Sequence, residues 1–239
     1  MADLYPIFLS LTGRPVLLVG AGHVALRKAT GLLAADAKLT VIAPPPADPD
    51  FATLPPHIYE PGAYDSAMML RTPRWSLVFA ATDRPQVNAQ VLADARAQGI
   101  LCTRCDQPDT GDFSNPALLQ RPGVTVAVST HGASPVLAVR LRDGIAADLD
   151  PLLLQLSEYL AKWRPQILAA VPDPVARRAL LTRLASPDME EILRHGGTTA
   201  AEATFALWLQ TAQSAAASNQ RTDSTNPPAH GQQRRKGAS

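Results

Sequence analysis

Between Val16 and Ala29 the chain reads VLLVGAGHVALRKA: an apolar run of strand length, two glycines one residue apart, then a segment of helical period. Few local patterns restrict a fold so tightly. A strand that turns into a helix within three residues must lay that helix back across a sheet, and the strand that follows then runs parallel to the first. Gly20 and Gly22 permit the tight turn and let backbone N–H groups come close to an anion. The partial positive charge at the helix start favours that anion, and the small Ala25 allows close helix–sheet packing. The turn therefore predicts a cradle for a dinucleotide pyrophosphate.

The rest of the first 150 residues repeats the theme. KLTVIAP, HIYEP, WSLVFAAT, ILCTRC and VTVAVST read as strands, and helical segments such as RPQVNAQVLADARAQG and SPVLAVRLRDGIAADL lie between or after them. A shorter helix is expected around Tyr64 to Leu70. Alternation of this kind predicts an α/β fold, a Rossmann-like, mostly parallel sheet covered on both faces. Its strand-to-helix turns fall at Gly20 to Gly22, Ala81 to Asp83, Asp106, and Thr130 to Ser134, and these ends should line the ligand crevice. From Pro151 the pattern becomes helical only, through LLLQLSEYLAKWRPQIL, DPVARRALLTRLA, PDMEEILRHG and TAAEATFALWLQTAQ. The expected organisation is a dinucleotide-binding domain over 1–150, a smaller all-helical region over 151–213, and a disordered tail over 214–239, where Ser, Asn, Gln and Pro replace the apolar period.

Composition narrows the partners. The 22 Lys and Arg nearly balance the 21 Asp and Glu, which argues against a nucleic-acid surface. No stretch resembles a signal peptide or reaches transmembrane length, so no membrane and a cytoplasmic setting are expected. Cys102 and Cys105 form a single CxxC within an apolar strand. A structural zinc site needs four ligands, so two ordinary thiols and no metal site are the expectation.

Four further turns carry the remaining candidate residues. After the second strand stand Ala43, Pro44, Pro45 and Pro46, with no basic residue of the kind an NADP phosphate would attract and Asp48 as the nearest charge. That favours NAD, with the ribose edge met by backbone. Thr82 and Asp83 end the fourth strand, and Asp83 reads as a helix cap. Asp106 follows the fifth, where a partly buried carboxylate could take a proton if desolvation raised its pKa. Asp-x-Pro-Asp-x-Gly is equally a good loop, and local sequence leaves both readings open. In the last turn Ser134-Pro135 reads as a helix start, and His131 is a candidate proton carrier or metal ligand.

Taken in order and spacing, LYPIFLSLTGRPVLLVGAGHVALRKA, KLTVIAP, VFAATDRPQVN, TRCDQPDTGDFSNPA and VTVAVSTHGASPVLAVRLRD resemble the precorrin-2 dehydrogenase family, the NAD-binding part of sirohaem synthases, often bifunctional with sirohydrochlorin ferrochelatase. The resemblance covers residues 4 to about 150, and the helical remainder is compatible with the family's dimerisation and substrate-binding helices. It implies NAD-dependent oxidation of precorrin-2 to sirohydrochlorin, with Fe²⁺ as a substrate of any later chelation. It also implies a homodimer, and a separate methyltransferase that supplies the tetrapyrrole. By the same resemblance Asp106 is the general base, and Gly20, Gly22, His23, Val24, Pro44 and Pro45, with Thr82 nearby, are cofactor positions. Arg104, Thr130, His131 and Ser134 fall at the tetrapyrrole site. Arg27, Lys28 and Arg140 join Arg104 as candidate partners of the substrate carboxylates.

The chain departs from the family at His131-Gly132, where two glycines are common, and at Phe113-Ser114-Asn115. Two other functions stay open on the sequence: a chelatase or related tetrapyrrole dehydrogenase, and a non-catalytic NAD-binding regulator. Apolar stripes in LLLQLSEYL and FALWL predict a dimer, because a small helical cluster would not cover them fully.

Overall fold

The computed structural model describes residues 4–223. Its chain separates into two compact units, residues 1–117 with 128–139, and residues 118–127 with 140 onward.

The first unit is built on five parallel strands in the order β3-β2-β1-β4-β5: β1 (Pro15–Val19), β2 (Lys38–Ala43), β3 (Ile58–Pro61), β4 (Leu77–Ala80) and β5 (Cys102–Arg104). The three central strands are buried almost without interruption, as a parallel sheet covered on both faces requires. On one face α1 (His23–Ala34) sets Ala25, Ala29 and Leu32 against Val16, Leu18 and Val41. On the other, α2 (Pro85–Ala97) sets Val91, Leu92 and Ala95 against Leu17, Val19 and Val78. The chain leaves β1 toward β2 and β3, then returns to build β4 and β5 on the other side. The topological switch, where such sheets take their ligands, therefore lies between the carboxyl ends of β1 and β4. Ser66–Leu70, expected as a helix, is a single 3-10 turn.

One strand assignment is corrected. VTVAV does not extend the parallel sheet: β7 (Val124–Val128) pairs with β6 (Ala117–Arg121), a strand not expected from the sequence, in a separate two-stranded sheet. Pro122 and Gly123, with Gly123 at φ +71°, close this hairpin. A two-residue connection joins antiparallel strands and cannot make a parallel crossover.

The hairpin belongs to the second unit, where the Ser157 hydroxyl donates to the Gly123 carbonyl at 2.9 Å. The division also falls within α3 (Pro135–Asp148) and not at residue 150. The helices α4 (Pro151–Ala170), α5 (Pro174–Leu184) and α6 (Pro187–Asp223) enclose an aromatic core. Trp163 is fully buried, stacks on Phe205 at 4.7 Å and Tyr159 at 5.1 Å between centroids, and donates its indole N–H to Glu202 at 3.1 Å. The two last helices expected from the sequence meet within α6 at Gly197 (φ +64°), where the backbone leaves helical geometry, and the second runs on to Asp223, into the segment expected as a tail; residues 224–239 lie outside the described residues.

Much of the apolar stripe expected to need a partner is satisfied within the chain. Leu156, Phe205 and Trp208 are buried in this core. Exposed large apolar side chains gather instead on α3, at Val136, Leu137, Val139, Leu141 and Ile145.

Candidate functional site

The carboxyl edge of the sheet collects the expected turns. Gly20 has φ +115°, and an added Cβ would run into the carbonyl of Ala81. Its glycine is thus demanded by the fold, which brings the β1 turn against the β4 turn. Gly22 is different: φ is −88°, and nothing stands within 4 Å of an added Cβ. Neither backbone strain nor packing calls for glycine there. No side chain caps α1, so the first-turn N–H groups of His23, Val24 and Ala25 point out of the helix end without helical partners. An uncapped helix start beside an open glycine fits a pyrophosphate. Beyond β2, Pro44, Pro45 and Pro46 are exposed, and the Asp48 N–H donates to the Ala21 carbonyl at 2.8 Å, so this loop borders the glycine turn. The Asp48 carboxylate caps the following 3-10 turn through the Asp50 N–H.

The β4 turn is fixed by Asn88, buried on α2. Its amide oxygen accepts from the Thr82 N–H at 3.1 Å and the Thr82 hydroxyl at 2.7 Å, and its amide nitrogen donates to the Thr82 carbonyl at 3.0 Å. Thr82 is therefore placed by bonds to its own turn. Asp83 does not cap α2: the cap position is Arg84, whose N–H bonds the Thr82 hydroxyl.

Asp106 follows β5, two strands along from β1, about 10 Å across the sheet edge. The segment after it folds back over β5. The Asp112 N–H donates to the Cys102 carbonyl at 2.8 Å, the Asp112 carboxylate accepts from the Cys102 N–H at 3.0 Å, and Arg96 of α2 grips that carboxylate at 2.8 Å. Asp112 thus does for the outer edge of β5 what a sixth strand would do.

The pKa expectation for Asp106 is corrected. Hydrogen bonds from the Arg104 guanidinium outweigh burial and hold the Asp106 carboxyl below its ordinary range, with a smaller contribution from the Asn88 amide. Asp106 is a carboxylate at neutral pH, and Arg104 is committed to it. Burial pushes the Cys102 thiol up to about 12 and raises the Cys105 thiol as well, which leaves both protonated and unreactive at neutral pH.

Three families match the chain in succession: an NAD(P)-binding family over residues 7–117, the sirohaem biosynthesis protein central region over 123–147, and the sirohaem synthase dimerisation region over 153–209. The chain belongs to the sirohaem synthase family. The siroheme synthase of Tolumonas auensis is 38% identical over 209 residues, spanning 87% of this chain and 44% of that protein. That of Methylococcus capsulatus is 39% identical over 207 residues, spanning 84% of this chain and 42% of its own. The chain thus spans less than half the length of these curated relatives. A solved structure of SirC, a precorrin-2 dehydrogenase, superposes with a TM-score of 0.68 at 23% identity, covering 88% of this chain and all of that one, which shows the fold.

In this sirohaem synthase relative the turn before α3 lies against the loop after Asp106, since a Cβ on Gly132 would sit 2.9 Å from an Asp109 carboxylate oxygen. The hydroxyls of Thr130 and Ser134 are used locally. Thr130 donates to the Ser134 carbonyl at 2.9 Å, and the Ser134 oxygen caps α3 through the Leu137 N–H at 3.1 Å. His131 is exposed with φ +52°, a conformation that suits the glycine common there. On α1, Lys28 is half-buried, and burial lowers its pKa while the neighbouring Cys105 acts the other way. Arg27 and Arg140 are exposed.

Proposed function

We propose that this chain is an NAD-dependent dehydrogenase that oxidises precorrin-2 to sirohydrochlorin, works in the cytoplasm as a homodimer, and receives its substrate from a methyltransferase. The observation that carries the reading is a carboxylate kept ionised at the end of β5, on the same sheet edge as an anion-ready glycine turn. Loss of two electrons and two protons from the tetrapyrrole divides into a hydride and a proton. Bound NAD⁺ supplies the hydride acceptor. The turn at Gly20 and Gly22, with the N–H groups of His23 and Val24, would hold the pyrophosphate, and Pro44 and Pro45 would border the ribose without a basic side chain, which favours NAD over NADP. Asp106 accepts the remaining proton and, being about one quarter exposed, returns it to water.

The names of the curated relatives and of the SirC structure support the substrate class. The match to a dimerisation region and the uncovered apolar side chains of α3 support the homodimer. Among the described residues no helix is long and apolar enough to cross a membrane.

Purified protein given precorrin-2 and NAD⁺ should develop the sirohydrochlorin absorption spectrum, and Asp106→Asn should lower that rate by about 10²–10⁴-fold while leaving NAD affinity nearly unchanged. Fe²⁺ added after oxidation tests chelation. No sirohydrochlorin from the wild-type chain under these conditions would overturn the reading, and a regulator would be indifferent to Asp106→Asn.

A further inference from the structure

Arg104 ends β5 and Asp106 stands two residues on, in the bend that follows, where the two side chains meet. Arg104 Nη2 donates to Asp106 Oδ2 at 2.6 Å and Nε to Oδ1 at 3.2 Å, one nitrogen to each oxygen. This is the two-pronged geometry that fixes a carboxylate's orientation as well as its charge. Exposure of the two side chains is unequal, 9% for Arg104 and 24% for Asp106. A buried guanidinium needs an anion, and its other contact is with a neutral group, the Pro85 carbonyl at 3.4 Å. Protonating Asp106 would leave that cation without its counter-charge, a state far less favourable than the loss of a surface ion pair.

The other groups packed around this corner act in lesser ways. From α2 the neutral Asn88 amide faces the carboxylate. From α1 the charges of Lys28 and Arg27 bear on the Cys105 thiol, with Asp106 behind it. Asp109, in the loop, lies beside Gly132. None of these offers a second fork.

We infer that Arg104 is a positioning residue for the reaction: its guanidinium fixes both oxygens of Asp106 at the end of β5 and keeps the carboxylate charged and oriented toward the crevice while substrate is bound. The inference rests on the reading of Asp106 as the general base. Two of the carboxylate's lone-pair positions are taken by Arg104, while the Asp106 backbone N–H and the Asn88 amide bear on it more weakly, and it is on this less firmly held side that a proton would be accepted. A base held in this way is ionised over a wider pH range and is intrinsically weaker, so Arg104 sets the acid limit of the reaction.

The test is the pH dependence of kcat/KM for precorrin-2 oxidation in the full chain, for wild type, Arg104→Met and Arg104→Lys, with NAD affinity and the circular dichroism spectrum measured alongside. Arg104→Met should shift the acid limb upward in pH with NAD affinity unchanged, and Arg104→Lys, which keeps the charge and loses the fork, should shift it less. A folded, active Arg104→Met with an unmoved acid limb would overturn the inference. Should that variant fail to fold, carbon-13 NMR titration of the Asp106 carboxyl in wild type, assigned with Asp106→Asn, decides: an apparent pKa below the ordinary carboxylate range supports the pairing, and an ordinary value overturns it. Full activity in Asp106→Asn would overturn the base assignment and the positioning role with it, while the same titration would still report separately on the ion pair.

Discussion

Gly20 and Ala81 touch across the switch point of the sheet: the α-carbon of one lies so near the carbonyl of the other that no side chain fits between them. With φ at +115°, Gly20 is also in a conformation that L-residues rarely adopt. Two glycines of one turn are thus glycine for separate reasons. Gly20→Ala should destabilise the first unit by about 2–4 kcal/mol through strain and a backbone clash, seen as a lower thermal midpoint. Gly22→Ala should leave that midpoint nearly unchanged and weaken NAD binding, since its Cβ enters only the space where the pyrophosphate would lie. Calorimetry on both variants, with and without NAD, checks the pair. Equal effects on stability would refute the division.

Asn88 is a second point where a side chain shapes the crevice from below. Its amide satisfies three polar groups of Thr82, all in a half-buried turn. Removing it in Asn88→Ala leaves donors and an acceptor poorly paired, at a cost of about 2–3 kcal/mol. For a chain of this size that lowers the midpoint by roughly 4–12 °C. NAD affinity should fall too, because the turn borders the site, and a variant with unaltered affinity would show that the turn holds its shape without Asn88.

These two residues also mark what the sequence can disclose. The strand–glycine–helix pattern carried the parallel sheet and its ligand edge, because hydrophobic period and glycine placement are local properties. VTVAV reads as one more strand of the parallel sheet because its hairpin partner, ALLQR, alternates too weakly to read as a strand. The signal that could have recovered it was Pro122-Gly123, two turn residues between two apolar runs. The charge state of Asp106 is open in the sequence for a related reason. Desolvation can be read from an apolar strand, whereas the Arg104 counter-charge depends on how the bend after β5 turns the Asp106 side chain. The roles of Asn88 and Asp112 depend on backbone atoms of other segments, which no spacing rule discloses.

Acid should loosen the contact between α2 and the segment before β4. The Asp94 carboxylate accepts from Ser66 at 2.6 Å, Gln90 at 2.7 Å and Tyr64 at 2.9 Å. Burial raises its pKa, but these three donors outweigh burial and the net shift is downward. Burial, and then Asp94, push the Tyr64 hydroxyl well up, so it stays a donor throughout. A carboxyl with a depressed folded pKa contributes stability above its unfolded value, near 3.9, and loses it as pH falls through the folded value. Urea midpoints of wild type and Asp94→Asn should therefore differ at neutral pH and converge below about pH 4. A constant difference across that range would assign the effect to packing.

The last prediction concerns the uncovered face of α3. Leu137, Leu141 and Ile145 recur every four residues, one stripe of a helix, and all three are exposed, as is Val136 at 79%. Apolar side chains at helical spacing on the surface of a chain matched to a dimerisation region call for a covering surface, and a second copy of the same helix supplies one of the right chemistry. Sedimentation at micromolar concentration should give the mass of a dimer. Leu141→Asp should shift it toward monomer with the circular dichroism spectrum retained, since this side chain is already in contact with solvent. Trp163→Ala should behave in the opposite manner: it removes the centre of the aromatic stack and should destabilise the helical unit by about 3–5 kcal/mol. A monomeric wild type would remove the need for the partner, whereas a Leu141→Asp variant that stays dimeric would move the interface away from α3.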